Sequence, residues 1–128
     1  MEVTLKFGAV IVGGAAGAAA RYLINISPLG AASSKFPLAT FVINLAGSFL
    51  IGFLAMAFAE RFEANEAFRL LLIVGFLGAF TTFSAFEMEL YSLVRGGEYV
   101  IGFLYLFLSV FLGFVGVVLG VELGRRVQ

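Results

Sequence analysis

The sequence contains no cysteine, no histidine and no tryptophan, and only two prolines in 128 residues. Without cysteine and histidine, the chain lacks the thiolate and imidazole ligands of zinc sites, a thiol nucleophile and a histidine for acid–base catalysis. The absence of cysteine leaves the redox compartment undetermined. Because no loop carries a nucleophile–base pair or a phosphate-binding glycine motif either, we predict that the protein is not an enzyme.

Charged residues are scarce, at 12% of the chain, and 8 Lys and Arg balance 8 Asp and Glu. A neutral chain lacks the basic surface that nucleic acid requires. Hydrophobic residues make up 62% of the chain and the mean hydropathy is +1.09, whereas soluble domains are about 45–50% apolar. A small soluble protein has too little interior to bury so much apolar surface. The sequence therefore predicts an integral membrane protein that is covered by lipid.

Four stretches are long and apolar enough to cross a bilayer as helices, which takes about 20 residues. We place these spans at 3–26, 36–59, 67–94 and 99–122. The N-terminus lacks the basic region and cleavage site of a signal peptide, so we expect it to begin the first span. No stretch has the composition of a soluble domain or a long linker. We predict an all-α membrane protein with one transmembrane domain, residues 1–128.

The distribution of basic residues between the two ends of the spans is nearly even. Four spans place five basic residues on one side (Lys6, Arg61, Arg69, Arg125 and Arg126) and three on the other (Arg21, Lys35 and Arg95). This is a weak positive-inside bias. Such a chain can insert in either orientation, which permits an antiparallel homodimer. A single fixed orientation with a weak signal is the alternative.

The third span contains the unusual segment Gly75–Phe86, with two glycines, three hydroxyl residues and four phenylalanines. Glycine and paired threonines weaken helical continuity. A helix broken within the membrane frees carbonyl oxygens, which persist there only when they are buried in protein or bound to a ligand such as a cation. One hypothesis is a cation held by backbone oxygens around Gly78 and Thr81. The alternative is an intact helix whose threonines and serine bond back by one turn.

Phe80, Phe83 and Phe86 recur every third residue and are expected to lie near one another. The positive ring edges of phenylalanine can replace part of the hydration of an anion. The alternative is that these side chains pack or face lipid.

Polar side chains follow one face of the second span, at Thr40, Asn44 and Ser48, and Tyr105 and Ser109 form a shorter track on the fourth. Unpaired polar groups are costly in hydrocarbon, so these faces should point to the bundle interior or to water. Asn44 has two amide donors for an anion. Hydrogen bonding between helices is the alternative.

Three charged residues, Arg21, Glu87 and Glu89, lie near the ends of spans. Arg21 can extend to the membrane surface without a function or attract anions into a vestibule. Glu87 and Glu89 follow the phenylalanine-rich segment, and marking the membrane boundary is the default interpretation for Glu87.

Three motifs, Gly13–Tyr22, Thr40–Phe49 and Gly75–Phe86, resemble the Fluc fluoride channel family, also called CrcB, in order and spacing over nearly the whole chain. The Thr-Thr-Phe-Ser-x-Phe run in the third motif is the most specific. The resemblance implies an antiparallel, dual-topology homodimer in the cell membrane, with the third helix broken. It also implies two fluoride pathways and a structural sodium ion at the dimer centre.

The resemblance also implies roles for individual residues. The main-chain oxygens of Gly78 and Thr81 would hold sodium, and Arg21 would lie near the aqueous vestibule. The fluoride pathway would contain Asn44, Phe83, Phe86, Ser84, Thr82, Tyr105 and Ser109. Gly113, Ala79 and Ala85 depart from the expected pattern, which affects the detailed route of the ion.

The predicted function is therefore passive, fluoride-selective export that protects the cell against fluoride. Three other functions are the alternatives. A proton-coupled multidrug exporter needs a carboxylate within the membrane, and the middle of the first span is uncharged. A purely structural subunit does not explain the polar stripe, the predicted break and the phenylalanines together. A proton-coupled fluoride antiporter would depend on Glu87 or Glu89.

Overall fold

A computed structural model describes residues 2–32 and 34–128 of the chain. Within this described part, all regular structure is helical, which confirms the all-α prediction. Four helices are long and apolar enough to cross a membrane: Val3–Asn25, Leu38–Ala57, Glu66–Arg95 and Tyr99–Arg126. The protein is thus a multi-pass membrane protein.

The first two spans are α1, Val3–Asn25, and α3, Leu38–Ala57, with the short helix α2, Pro28–Ala31, between them. The Ser27 hydroxyl caps α2 by accepting a hydrogen bond from the Leu29 N–H, and Pro28 occupies the first turn, where its missing N–H costs nothing.

The third span is composite. After α4, Ala59–Ala64, it begins with α5, Glu66–Arg69, continues as a π-helical segment, Leu70–Leu77, and then as α6, Gly78–Phe80. Thr81 and Thr82 have extended backbone dihedral angles, and helical structure resumes in α7, Phe83–Arg95. The fourth span is α8, Tyr99–Arg126.

Glycines bring α3 and α8 into direct backbone contact. A Cβ atom at Gly120 would collide with the Phe49 carbonyl oxygen, and one at Gly52 would collide with the Val117 carbonyl oxygen. Membrane helices associate through such close packing because lipid provides no hydrophobic force between them. These glycines are therefore structural.

A second helix pair forms in the same way between α1 and the π-helical segment. Cβ atoms at Gly13 and Gly17 would collide with the backbone at Leu71 and Phe76. The two pairs contact each other much less than their own members do. A cleft between them results, and polar residues of α3 and α8 lie along it.

We predict that Gly120→Ala destabilises the protein by about 1–3 kcal/mol, because the added methyl group has to push the α3 backbone away. Gly116→Ala is the matched control on the same helix, since its Cβ would meet its nearest neighbour at an ordinary distance of 3.5 Å. Thermal unfolding in detergent, followed by circular dichroism, compares the two. Equal melting temperatures for both variants would contradict the packing argument.

Candidate ion-binding site

The centre of the candidate site is the extended segment Thr81–Thr82, which is held by a side chain from α3. Asn44 Nδ2 donates to the Thr82 carbonyl oxygen at 3.0 Å, and Asn44 Oδ1 accepts from the Thr82 N–H at 2.9 Å. Both ends of one amide thus pair with the backbone of one residue. The polar face predicted on the second span does point into the protein at this position.

Two carbonyl groups lose their usual helical donors at this segment. In a continuous α-helix, the Gly78 carbonyl would accept from the Thr82 N–H, which here donates to Asn44. The Thr81 carbonyl would accept from the Ala85 N–H, which here donates to Thr82 Oγ1 at 3.3 Å. Among the described residues, no cluster of acidic side chains offers an alternative metal site. A cation site here would therefore be built from backbone oxygens.

A cavity of about 420 Å³ lies beside this segment, between the two helix pairs. Its polar lining comes from Asn44, Ser48, Thr81, Thr82 and Ser109, and Phe83 and Phe86 add aromatic rings. Ser109 Oγ is buried and has no hydrogen-bond partner among residues 2–32 and 34–128. No charged side chain lines the described cavity.

Phe80, Phe83 and Phe86 do not all lie together. Phe83 and Phe86 are neighbours, with ring centroids 6.1 Å apart, and both line the cavity. Phe80 instead stacks on Phe76 and is buried in a core with Ile43 and Leu77. The expectation that all three would be neighbours is wrong, because the extended threonines change the direction of the chain between Phe80 and Phe83.

Tyr105 belongs to a second polar cluster rather than to the cavity. Its side chain is 0% exposed, and its hydroxyl donates to Glu89 Oε2 at 3.1 Å. Thr40 Oγ1 donates to the other oxygen, Glu89 Oε1, at 2.6 Å. The Phe86 ring lies between the two clusters, with its centroid 5.0 Å from that of Tyr105.

Glu89 was named in the sequence only as a residue on which an antiporter would depend, and was not placed in the fluoride pathway. It lies three residues after Phe86, so both face the same side of α7. That spacing was visible in the sequence, but the two hydroxyl donors come from other helices. Ser84 is exposed, and Arg21 is half-buried in the last turns of α1; within the described chain, neither lines the cavity. The Thr81 hydroxyl bonds back to the Leu77 carbonyl at 2.9 Å, as the alternative for an intact helix expects of threonine.

The sequence was also compared with known proteins. The family profile described as "CrcB-like protein, Camphor Resistance (CrcB)" matches residues 8–121. The chain belongs to the CrcB family.

Relatives within the CrcB family match over almost their whole length. A protein of Solibacter usitatus is 40% identical over 122 residues, which are 95% of this chain and 100% of the relative. A Hydrogenobaculum protein is 45% identical over 120 residues, or 94% and 98% of the two chains. A protein of Desulfotalea psychrophila is 44% identical over 126 residues, or 98% and 97%. All three are named "Fluoride-specific ion channel FluC".

We predict that Tyr105→Phe destabilises the protein by about 1–2 kcal/mol, because Glu89 loses a buried hydrogen-bond donor. Tyr91→Phe removes the same hydroxyl from an exposed position on α7 and should have little effect. Thermal unfolding of the two variants in one detergent measures the difference. An unchanged Tyr105→Phe protein would show that the contact with Glu89 contributes nothing to stability.

Proposed function

We propose that the protein is a fluoride-selective channel of the cell membrane that exports fluoride passively and so protects against its toxicity. The observation that carries this proposal is the similarity, over nearly the full length, to relatives named as fluoride-specific ion channels. From an acidic medium, fluoride enters cells as neutral HF and is trapped as the anion in the less acidic interior. A passive leak driven by the membrane potential relieves that accumulation without energy coupling.

The chemistry of the cavity supports an anion pathway. Phe83 and Phe86 can offer positive ring edges, and the unpartnered Ser109 hydroxyl can donate a hydrogen bond. Helix α7 begins at Phe83, so the positive end of its dipole lies at the cavity. Selectivity would come from pore width and from the cost of removing water. On the proposed pathway, Thr82 lies beside these rings, and Ser84 and Tyr105 line the route beyond them. Arg21 raises the local anion concentration at the vestibule.

In this proposal Asn44 offers an anion fewer donors than the two N–H groups of its amide suggest. One amide hydrogen is engaged by the Thr82 carbonyl, which leaves one hydrogen for an anion in the cavity. A substitution at Asn44 is therefore expected to affect both the pathway and the backbone beside it.

We further propose that the break in the third span holds a structural sodium ion through the carbonyl oxygens of Gly78 and Thr81. Its support is the loss of both helical donors, since carbonyl groups in a membrane interior need another partner. Oxygen atoms are suitable ligands for a hard cation. The ion would add a fixed positive charge near the anion pathway.

The proposed assembly is an antiparallel homodimer with two pathways. The cleft between the helix pairs is open, and Phe83 at its edge is 75% exposed. A second copy would cover this face and complete the pathways. The nearly even charge of the two ends is compatible with insertion in both orientations.

We expect wild-type protein in fluoride-loaded liposomes to release fluoride rapidly when a potassium ionophore sets the voltage, and to retain chloride. Asn44→Asp should abolish the flux because it places a negative charge in the cavity, and Phe83→Ile should do so because it removes the ring edge. Phe103→Ile is the matched control, since this exposed phenylalanine on α8 stacks on Phe107 outside the cavity. Fluoride and chloride electrodes measure both ions.

No fluoride efflux from folded wild-type protein would contradict the channel proposal, and drug- and proton-exchange assays would then test the multidrug exporter. A fluoride flux that depends steeply on pH, and that is lost in Glu89→Gln, would instead indicate a proton-coupled antiporter.

Dual topology predicts that a given end of the subunit faces one side of the membrane in half of the molecules and the other side in the rest. The chain has no cysteine, so single cysteines at Glu63 and Tyr99, exposed near opposite ends of the spans, can be labelled selectively. An impermeant maleimide applied to sealed vesicles should label about half of each variant, since the two orientations would be equally populated. Labelling of one variant and protection of the other would show a single orientation.

A further inference from the structure

We propose that Asn44 is a positioning residue: its amide holds Thr82 extended and thereby presents the carbonyl oxygens of Gly78 and Thr81 to the cation. The cation part rests on the proposed function. The positioning part rests on the two hydrogen bonds between Asn44 and Thr82, which join residues 38 positions apart in the sequence.

The Thr82 N–H donates to Asn44 and not to the preceding helical turn. A backbone N–H within the membrane has to be paired, and its ordinary partner would be the Gly78 carbonyl, four residues earlier. Asn44 Oδ1 takes that donor at 2.9 Å. The Gly78 carbonyl therefore loses its helical donor to a side chain on α3.

The Thr82 carbonyl and the Thr82 side chain are both hydrogen-bonded as well. Asn44 Nδ2 pairs with this carbonyl at 3.0 Å, so an extended residue has both backbone groups satisfied without a neighbouring turn. The Thr82 hydroxyl then caps α7 by accepting from the Ala85 N–H. That bond removes the helical donor of the Thr81 carbonyl. One clamped residue thus accounts for both free oxygens.

Helix α3 also leaves space for the side chain of Thr81. Gly47 lies one turn after Asn44, and a Cβ atom there would collide with Thr81 Cγ2. The same helix therefore holds Thr82 through an amide and leaves room for Thr81 through a glycine. Both contacts lie within one subunit.

A spectroscopic experiment tests this directly. Threonine occurs only at positions 4, 40, 81 and 82, so Thr81–Thr82 is the only pair of adjacent threonines. Full-length protein labelled with threonine that carries ¹³C at the carbonyl and ¹⁵N at the amide gives a single amide–carbonyl correlation signal. That signal reports the Thr81 carbonyl and the Thr82 N–H together. It is recorded while sodium replaces N-methylglucamine at constant ionic strength.

In the wild type, we expect a carbonyl shift typical of extended backbone and a movement of the signal with sodium. Asn44→Ala should move the carbonyl shift toward helical values and weaken the sodium midpoint at least about tenfold, which corresponds to the loss of about 1.4 kcal/mol of binding free energy. Ser48→Ala is the matched control, because Ser48 lines the same cavity from the next turn of α3. Its signal and its sodium midpoint should match those of the wild type.

Asn44→Asp separates positioning from contact with the anion. The carboxylate keeps an acceptor for the Thr82 N–H but loses the donor to the Thr82 carbonyl, so the sodium midpoint should weaken less than in Asn44→Ala. Fluoride efflux should nevertheless be lost. If Asn44→Ala does not fold, this variant decides: a Thr81 carbonyl shift at helical values in Asn44→Asp overturns the role of the acceptor.

The remaining outcomes separate this proposal from the proposed function. A wild-type sodium response that persists unchanged in Asn44→Ala, with an unchanged carbonyl shift, overturns the positioning role alone. A wild-type signal that sodium does not move overturns the cation site. Absence of fluoride efflux from the wild type, with the sodium response intact, overturns the channel proposal and leaves the role of Asn44 standing.

Discussion

In the interior of a bilayer no water is available to pair with a backbone N–H or carbonyl group, and each unpaired group costs several kcal/mol. Helices satisfy this constraint along most of the chain. At Thr81 and Thr82 the backbone leaves helical geometry, so its polar groups need other partners. The amide of Asn44 supplies two of them. The candidate ion-binding site follows from how this local deficit is met.

Close packing of glycines determines where the site lies. Two helix pairs, α1 with the π-helical segment and α3 with α8, approach until a Cβ atom would collide with the opposite backbone. Contacts between the pairs are fewer, and the cavity occupies the space between them. The tight contacts within each pair thus leave the polar side chains of α3 and α8 facing a cleft instead of a closed core.

Part of this site was predictable from residue type and spacing. Asn44 and Ser48 lie on one face of one helix, and both line the cavity with Ser109, Phe83 and Phe86. The expected grouping of Phe80 with the other two phenylalanines failed, because helical spacing does not apply across an extended segment. Glu89 was missed as a site residue because its two hydroxyl donors, from Thr40 and Tyr105, lie on other helices.

The sequence by itself determined the class of the protein: its apolar content and the lengths of its hydrophobic stretches leave a four-span helical membrane protein as the physical solution. It also determined which helix faces are polar, since side-chain direction follows from spacing along a helix. Only the tertiary structure decided which groups those faces meet. Asn44 pairs with the backbone of Thr82, 38 residues away, and the carbonyls this frees are at Gly78 and Thr81. Spacing describes one helix at a time, whereas these contacts depend on how separate helices pack.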